Sequence, residues 1–262
     1  MSLSTFRRSI LARVMLGCAI LSALVATPSI AQDELTDGPK TVIIQYSADA
    51  AKRADFRRYM AGPFGVKLSD LRGKGKLAAY QVYYSWYPQP EVWDAMVVLH
   101  FPTYSAVEEW RGIERSQPGG LDTAGLVLAK PKAVYSADLS WNKSVDELDV
   151  GEVYYVIPYI YREAAEYRSY VAGYVTPQFD GWIREGALSG YQIYINRYSV
   201  GTPWDSLFIQ RYRNFEAFGK RQHVLDKVRV GLRQQPEWME WHKRKGDIRS
   251  ETENSIAELL AQ

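Results

Sequence analysis

The chain has 262 residues, enough for one large domain or two small ones. Its 32 Lys and Arg nearly balance 30 Asp and Glu, so the strongly basic composition that nucleic-acid binding calls for is absent, and no nucleic-acid partner is expected. The hydrophobic fraction of 47% is that of an ordinary folded chain, but 19 Tyr is a high number, and Tyr walls combine an apolar ring with a hydrogen-bonding tip.

The first residues have the layout of a secretory signal peptide. Arg7, Arg8 and Arg13 make a basic start, residues 14–26 an apolar run, and Ser29-Ile30-Ala31 a small-x-small cleavage site. The run is shorter than the roughly 20 apolar residues of a membrane span. Residues 1–31 are therefore expected to be removed and the protein to be periplasmic or secreted. Leu16-Gly17-Cys18 faintly resembles a lipidation box, but the apolar run continues past it. Cys18 is the sole cysteine, so the mature chain is expected to carry no disulfide, thiolate metal site or cysteine nucleophile. No later segment is apolar enough to span a membrane.

Residues 41–47, TVIIQYS, read as a strand. Residues 49–62 place Phe56, Tyr59 and Met60 at helical spacing, and Pro63 is expected to end or interrupt that helix. Gly75 marks a turn. Residues 77–87 and 93–101 read as two strands of a hairpin joined by PQPEV. A helix over 105–116 and an edge strand over 133–141 follow. The polar, acidic stretch Asn142–Glu152 reads as a seam. The order then repeats: strand 152–161, a helix carrying Tyr167, Tyr170 and Val171 before Pro177, a turn at Gly186, and strands 188–198 and 204–212 joined by SVGTP. A long helix over 216–234 and a strand over 254–261 close the chain.

A shift of 111 residues aligns the two stretches without a gap. ADFRRYMAG from Ala54 meets AEYRSYVAG from Ala165, and Tyr80, Gln81 and Tyr83 meet Tyr191, Gln192 and Tyr194. Trp93-Asp94 meets Trp204-Asp205, and about a quarter of positions between Ala54 and Trp110 are identical. The order β-α-β-β-α-β, twice, is that of the ferredoxin-like unit, an α+β fold. With its repetition the chain resembles the dimeric α/β-barrel superfamily, here as a tandem fused repeat. The resemblance implies two units, 32–145 and 146–262, packed as a pseudo-dimeric barrel. QPEWMEWHKRKGDIRSETENSIAELL, residues 235–260, also resembles NIPSNAP-type domains locally, in its Pro-Glu-Trp helix start and closing acidic strand.

Strand alternation puts Gln81, Tyr83, Ser85 and Tyr87 on one face and Tyr80, Val82, Tyr84 and Trp86 on the other. The second copy sets Gln192, Tyr194, Asn196 and Tyr198 against Tyr191, Ile193, Ile195 and Arg197. The recurring amide-and-phenol face either lines a ligand pocket or packs between two sheets with its polar groups satisfying each other. His100 ends a strand, where a surface position is expected, and Arg211 is its repeat mate. The candidate ligand-binding residues are Gln81, Tyr83, Tyr87, His100, Gln192, Tyr194, Asn196, Tyr198 and Arg211. His100, His223 and His242 stand at no metal-ligand spacing, so no metal site is expected. In haem-binding relatives of this barrel a helix histidine can ligate iron, which would be His223 here. No second motif supports haem, and no cofactor is expected. Arg57 and Asp94 recur as Arg168 and Asp205, which suggests a helix-to-strand ion pair in each half.

These features point to an exported protein that binds a small organic ligand, with a homo-oligomer possible. The superfamily includes isomerases, cyclases and monooxygenases. A cofactor-independent acid–base enzyme using Tyr, His100 or Arg211 is therefore one alternative, and a structural or interaction protein with a filled core is another.

Overall fold

The computed structural model describes residues 40–89, 91–145 and 152–262. The expected signal peptide lies outside the described residues, as do residues 146–151 of the expected seam.

The first half runs β1 (Thr41–Ala48), α1 (Arg53–Tyr59), α2 (Gly65–Gly73), β2 (Ala79–Ser85), β3 (Ala95–His100), α3 (Tyr104–Ser116), α4 (Thr123–Leu128) and β4 (Ala129–Ser144). The second runs β5 (Val153–Tyr161), α5 (Ala164–Tyr170), α6 (Thr176–Arg184), β6 (Leu188–Asn196), β7 (Ser206–Tyr212), α7 (Phe215–Gly219), α8 (Arg221–Leu232), α9 (Pro236–Ile248), β8 (Arg249–Glu251) and β9 (Ser255–Ala261).

All strand pairings are antiparallel, in the order β7-β6-β4-β1-β3-β2-β9-β5, and β5 pairs again with β7. These eight strands therefore close into a ring in which each is paired on both sides. The short β8 extends the β9 edge of β5, through Tyr159–Tyr161. Within the ring β4-β1-β3-β2 and β9-β5-β7-β6 show the same spatial order. They meet at two seams: Ser85 lies opposite Ala257 where β2 meets β9, and Ala137 opposite Asn196 where β4 meets β6.

Alternation sorts the side chains into three buried layers. Inside the ring lie Ile43, Tyr83, Met96, Val98, Tyr154, Tyr194, Leu207 and Ile209. Outside, Tyr80, Val82 and Tyr84 pack under the helices of the first half, and Tyr191, Ile193 and Phe208 under those of the second. The amide-and-phenol face is thus the inward one.

Five details differ from the sequence expectation. The helices do not stop at Pro63 and Pro177. A five-residue π turn, Met60–Phe64, carries Pro63 between α1 and α2, and Val171–Val175 makes the same turn 111 residues later between α5 and α6. A wider turn absorbs the N–H that Pro63 lacks, so the chain continues helically. The expected long helix over 216–234 is split into α7 and α8 at Lys220, and α4 joins the first half unforeseen. The edge strand expected at 133–141 is longer, spanning all of β4. Finally, Asp94 pairs with Arg53, not Arg57, whose fork holds Glu258 at 2.8 and 2.6 Å. Asp94 also accepts from the Ala48 N–H at 2.7 Å, and Asp205 accepts from the Tyr161 N–H at 3.0 Å. The recurring aspartate thus caps the end of the neighbouring strand in each half.

Candidate functional site

The ring interior gathers most of the sequence candidates. Tyr83 on β2 is fully buried; its hydroxyl donates to Gln192 Oε1 across the halves at 3.4 Å, and its ring meets Tyr154 edge-on at 5.1 Å. Tyr194 on β6, equally buried, has its hydroxyl 3.2 Å from His100 Nε2, while Thr41 Oγ1 lies 3.1 Å from His100 Nδ1. His100 is therefore not the surface residue its place at a strand end suggested. Both ring nitrogens are engaged, and burial pushes its pKa down to about 4, so the ring is neutral at pH 7. Burial raises the Tyr83 and Tyr194 phenols well above the usual range. Gln81, two residues before Tyr83 on β2, is also buried, and its Oε1 meets no hydrogen-bond donor among the described residues.

The other candidates separate. Asn196 Nδ2 donates to Thr202 Oγ1 and the Trp204 carbonyl, at 3.0 and 3.1 Å, and so ties its own hairpin. Tyr87 and Tyr198 are exposed, each two residues past the end of its strand, β2 or β6, where the ring no longer encloses the face. Arg211 lies buried at one mouth of the barrel, donating to Ser144 Oγ and the Ser189 carbonyl at 2.8 Å each, with Glu152 3.4 Å away. A small cavity of about 120 Å³ there touches Arg211, Gln192 and Tyr154. A guanidinium this deep is tolerable because carboxylate and carbonyl surround it. The interior is thus chiefly an aliphatic and aromatic core with a few polar groups among it.

A larger space of about 320 Å³ lies on the outer face of the second half, between sheet and helices. Its floor comes from alternate residues of two strands: Tyr155, Ile157 and Tyr159 of β5, and Phe208, Gln210 and Tyr212 of β7. One wall is the helix carrying Tyr170, Tyr174 and Gln178, four residues apart and so on one side. The other wall is α8, through Arg221, Leu225 and Arg229, again at four-residue spacing. Arg249 and Glu251 of β8 close one end.

The walls are well supported. Tyr174 stacks on Trp238 at 4.6 Å, and its hydroxyl lies 3.0 Å from His242 Nδ1. Arg229 Nε donates to Gln178 Oε1 at 2.9 Å. Arg249 lies over the Tyr159 ring at 4.6 Å, with Nε 3.3 Å from the Tyr170 hydroxyl and Nη1 3.0 Å from Glu251 Oε1. Burial raises the pKa of Tyr155, Tyr159, Tyr170, Tyr174 and Tyr212. These phenols stay protonated at neutral pH and serve as hydrogen-bonding groups rather than bases.

The 111-residue repeat does not mark this cleft, because the cleft depends on what does not recur. In the first half the residue 111 positions before Arg221 is Trp110, which is buried against Phe101 and Gly120 and fills space. The legible signal was the pair of alternating rings in β5, Tyr155 and Tyr159, opposite Tyr170 and Tyr174.

His223, the histidine that a haem-binding relative would suggest, is exposed on α8 and stands two residues from Leu225, on the other side of the helix. It does not fit a group held in the cleft. Among the described residues no cluster of three or more His, Cys, Asp or Glu could hold a metal ion, and no helix is long and apolar enough to cross a membrane.

No family model and no curated protein matches the sequence. Solved structures match the fold. A putative monooxygenase from Lactobacillus acidophilus NCFM shares 15% identity over 85% of this chain and 93% of its own, with a TM-score of 0.50. An anthrone oxidase-like protein shares 8% identity over 85% and 92% of the two chains, with a TM-score of 0.50. A point mutant of chlorite dismutase from Candidatus Nitrospira defluvii shares 11% over 87% and 94%, also with a TM-score of 0.50. At such identities the likeness shows the fold alone, an α+β architecture with a large antiparallel sheet.

Proposed function

We propose that the protein binds a small organic molecule in the cleft between the β5–β7 face and the helices α5, α6 and α8. The observation that carries this reading is the cleft's lining: about 320 Å³ walled by five tyrosines and edged by three arginines. Ligand sites are typically concave and largely apolar, with a few placed polar groups. Neutral phenols favour binding over base chemistry, and His100, neutral and engaged at both nitrogens, is poorly suited to act as the base of the enzyme alternative. The site therefore moves from the inward face of Gln81, Tyr83, Gln192 and Tyr194 to the outer face of the second half.

The same reading includes two tandem ferredoxin-like units, 32–145 and 146–262, closing on each other as a pseudo-dimeric barrel. Support comes from the ungapped 111-residue shift, the π turn repeated at that spacing and the shared strand order. The sequence pattern of residues 1–31 supports export, and the local NIPSNAP likeness of residues 235–260 belongs to the same proposal about ancestry.

Native mass spectrometry of protein purified from its own source should show a bound small molecule. Leu225→Trp, which puts an indole into the cleft, should lose it. Retention of the same adduct by a folded Leu225→Trp protein would place the ligand elsewhere, and an adduct-free protein that binds no aromatic probe would refute the reading.

A further inference from the structure

We propose that the cleft's ligand is an aromatic carboxylate, and that Glu251 occupies the place of its acid group until it binds. The inference rests on the cleft reading above and deepens it. Glu251 is a rim residue of the three-residue strand β8, with its side chain 43% exposed. Its Oε1 nevertheless reaches into the cleft, accepting from Arg249 Nη1 at 3.0 Å and lying 3.4 Å from the Tyr159 hydroxyl. A carboxylate oxygen therefore sits against a guanidinium and a phenol inside an aromatic-walled cleft, the arrangement a ligand's own carboxylate would make.

Charge supports exchange. The lining holds Arg221, Arg229 and Arg249 against the single carboxylate of Glu251. Behind it stand Arg233, Lys245 and His242; after burial, the surrounding arginines hold the pKa of Lys245 down, and Lys245 with the arginines does the same to His242. The cluster is short of negative charge. Glu251 is held by a partly exposed ion pair, the kind of contact worth little in water. Arg249, by contrast, is fixed from two sides, over the Tyr159 ring and at the Tyr170 hydroxyl, so its guanidinium stays in place when the partner changes. The Tyr155, Tyr159 and Tyr212 rings that line the floor suit an aromatic body behind that acid group, which such rings meet offset or edge-to-face.

The test is calorimetric titration of the full mature protein with 2-naphthoate and 2-naphthamide, which differ in charge but hardly in shape. Wild type should bind the acid at least tenfold more tightly than the amide. Glu251→Gln should tighten the acid several-fold and leave the amide unchanged, because only the acid competes with the native carboxylate. Arg249→Met should remove the preference for the acid, and Arg249→Lys should retain part of it if Arg249→Met folds poorly. Equal binding of both probes, indifferent to Glu251→Gln, would overturn the carboxylate proposal and leave the cleft standing as a neutral-ligand site. Binding of neither probe, with native mass spectrometry also adduct-free, would refute the cleft reading and this proposal with it.

Discussion

His100 shows how burial turns a residue type with catalytic promise into a structural one. Its ring joins Thr41 of β1 to Tyr194 of β6 from a position on β3, so it ties strands of both halves. Its pKa falls from 6.5 to about 4. Between those values the unfolded chain binds a proton that the folded chain refuses. Stability is therefore full above pH 6.5 and declines as pH falls towards 4, by at most about 3 kcal/mol for a gap of this size. Urea unfolding at pH 7 and pH 4.5 should show this loss. His100→Gln should be less stable at pH 7 yet show a shallower decline with acid; an unchanged slope would mean other groups set it. Tyr194→Phe, which removes one hydroxyl partner and no ring, should cost roughly 1–2 kcal/mol at pH 7.

At the level of elements, the cleft exists because α6 and α8 cross at a chosen distance. Gly181 of α6 sits directly beneath Val228 of α8: a Cβ there would lie 2.3 Å from Val228 Cγ1. Gly181→Ala must push α8 outward or strain the crossing, at a cost of roughly 1–3 kcal/mol. Since α8 supplies Arg221, Leu225 and Arg229, the same change should weaken 2-naphthoate binding; Val228→Ala in the same chain should restore both stability and affinity. The strands, the helices after β1 and β5 and the shared amide-and-phenol face were legible because periodicity is local and was written twice; the π turns that carry those helices onward were not. Turns at Gly75 and Gly186 were legible too, since both adopt positive φ, 69° and 75°, which favours glycine. The cleft was not, because it depends on a tertiary difference between equivalent positions: Trp110 fills its layer, while Arg221 stands exposed at a rim. Nor could sequence alone tell that Asp94 would take Arg53 rather than Arg57, a choice made by where β9 brings Glu258.

For the molecule as a whole, closure of the sheet decides what can fold alone. Each half contributes four principal strands and leaves two edges, β2 and β4 in the first and β6 and β9 in the second, that are paired only across the seams. The inward face is shared as well: Tyr83 packs on Tyr154 and Tyr194 meets His100, so separating the halves would expose the Tyr83, Tyr154 and Tyr194 rings, which are now fully buried. Apolar area returned to water costs about 25 cal/mol per Å². Open strand edges above an apolar face also invite pairing with other chains. Residues 40–145 and 152–262 produced separately should therefore be insoluble or self-associated. Produced together, they should assemble into a soluble one-to-one complex with the near-ultraviolet circular dichroism of the intact chain, because the seams are noncovalent and the two surfaces complementary. The second segment contains every residue that lines the cleft, so the complex should also recover 2-naphthoate binding. If each segment instead unfolds cooperatively as a well-behaved monomer, closure is dispensable and the halves are independent domains.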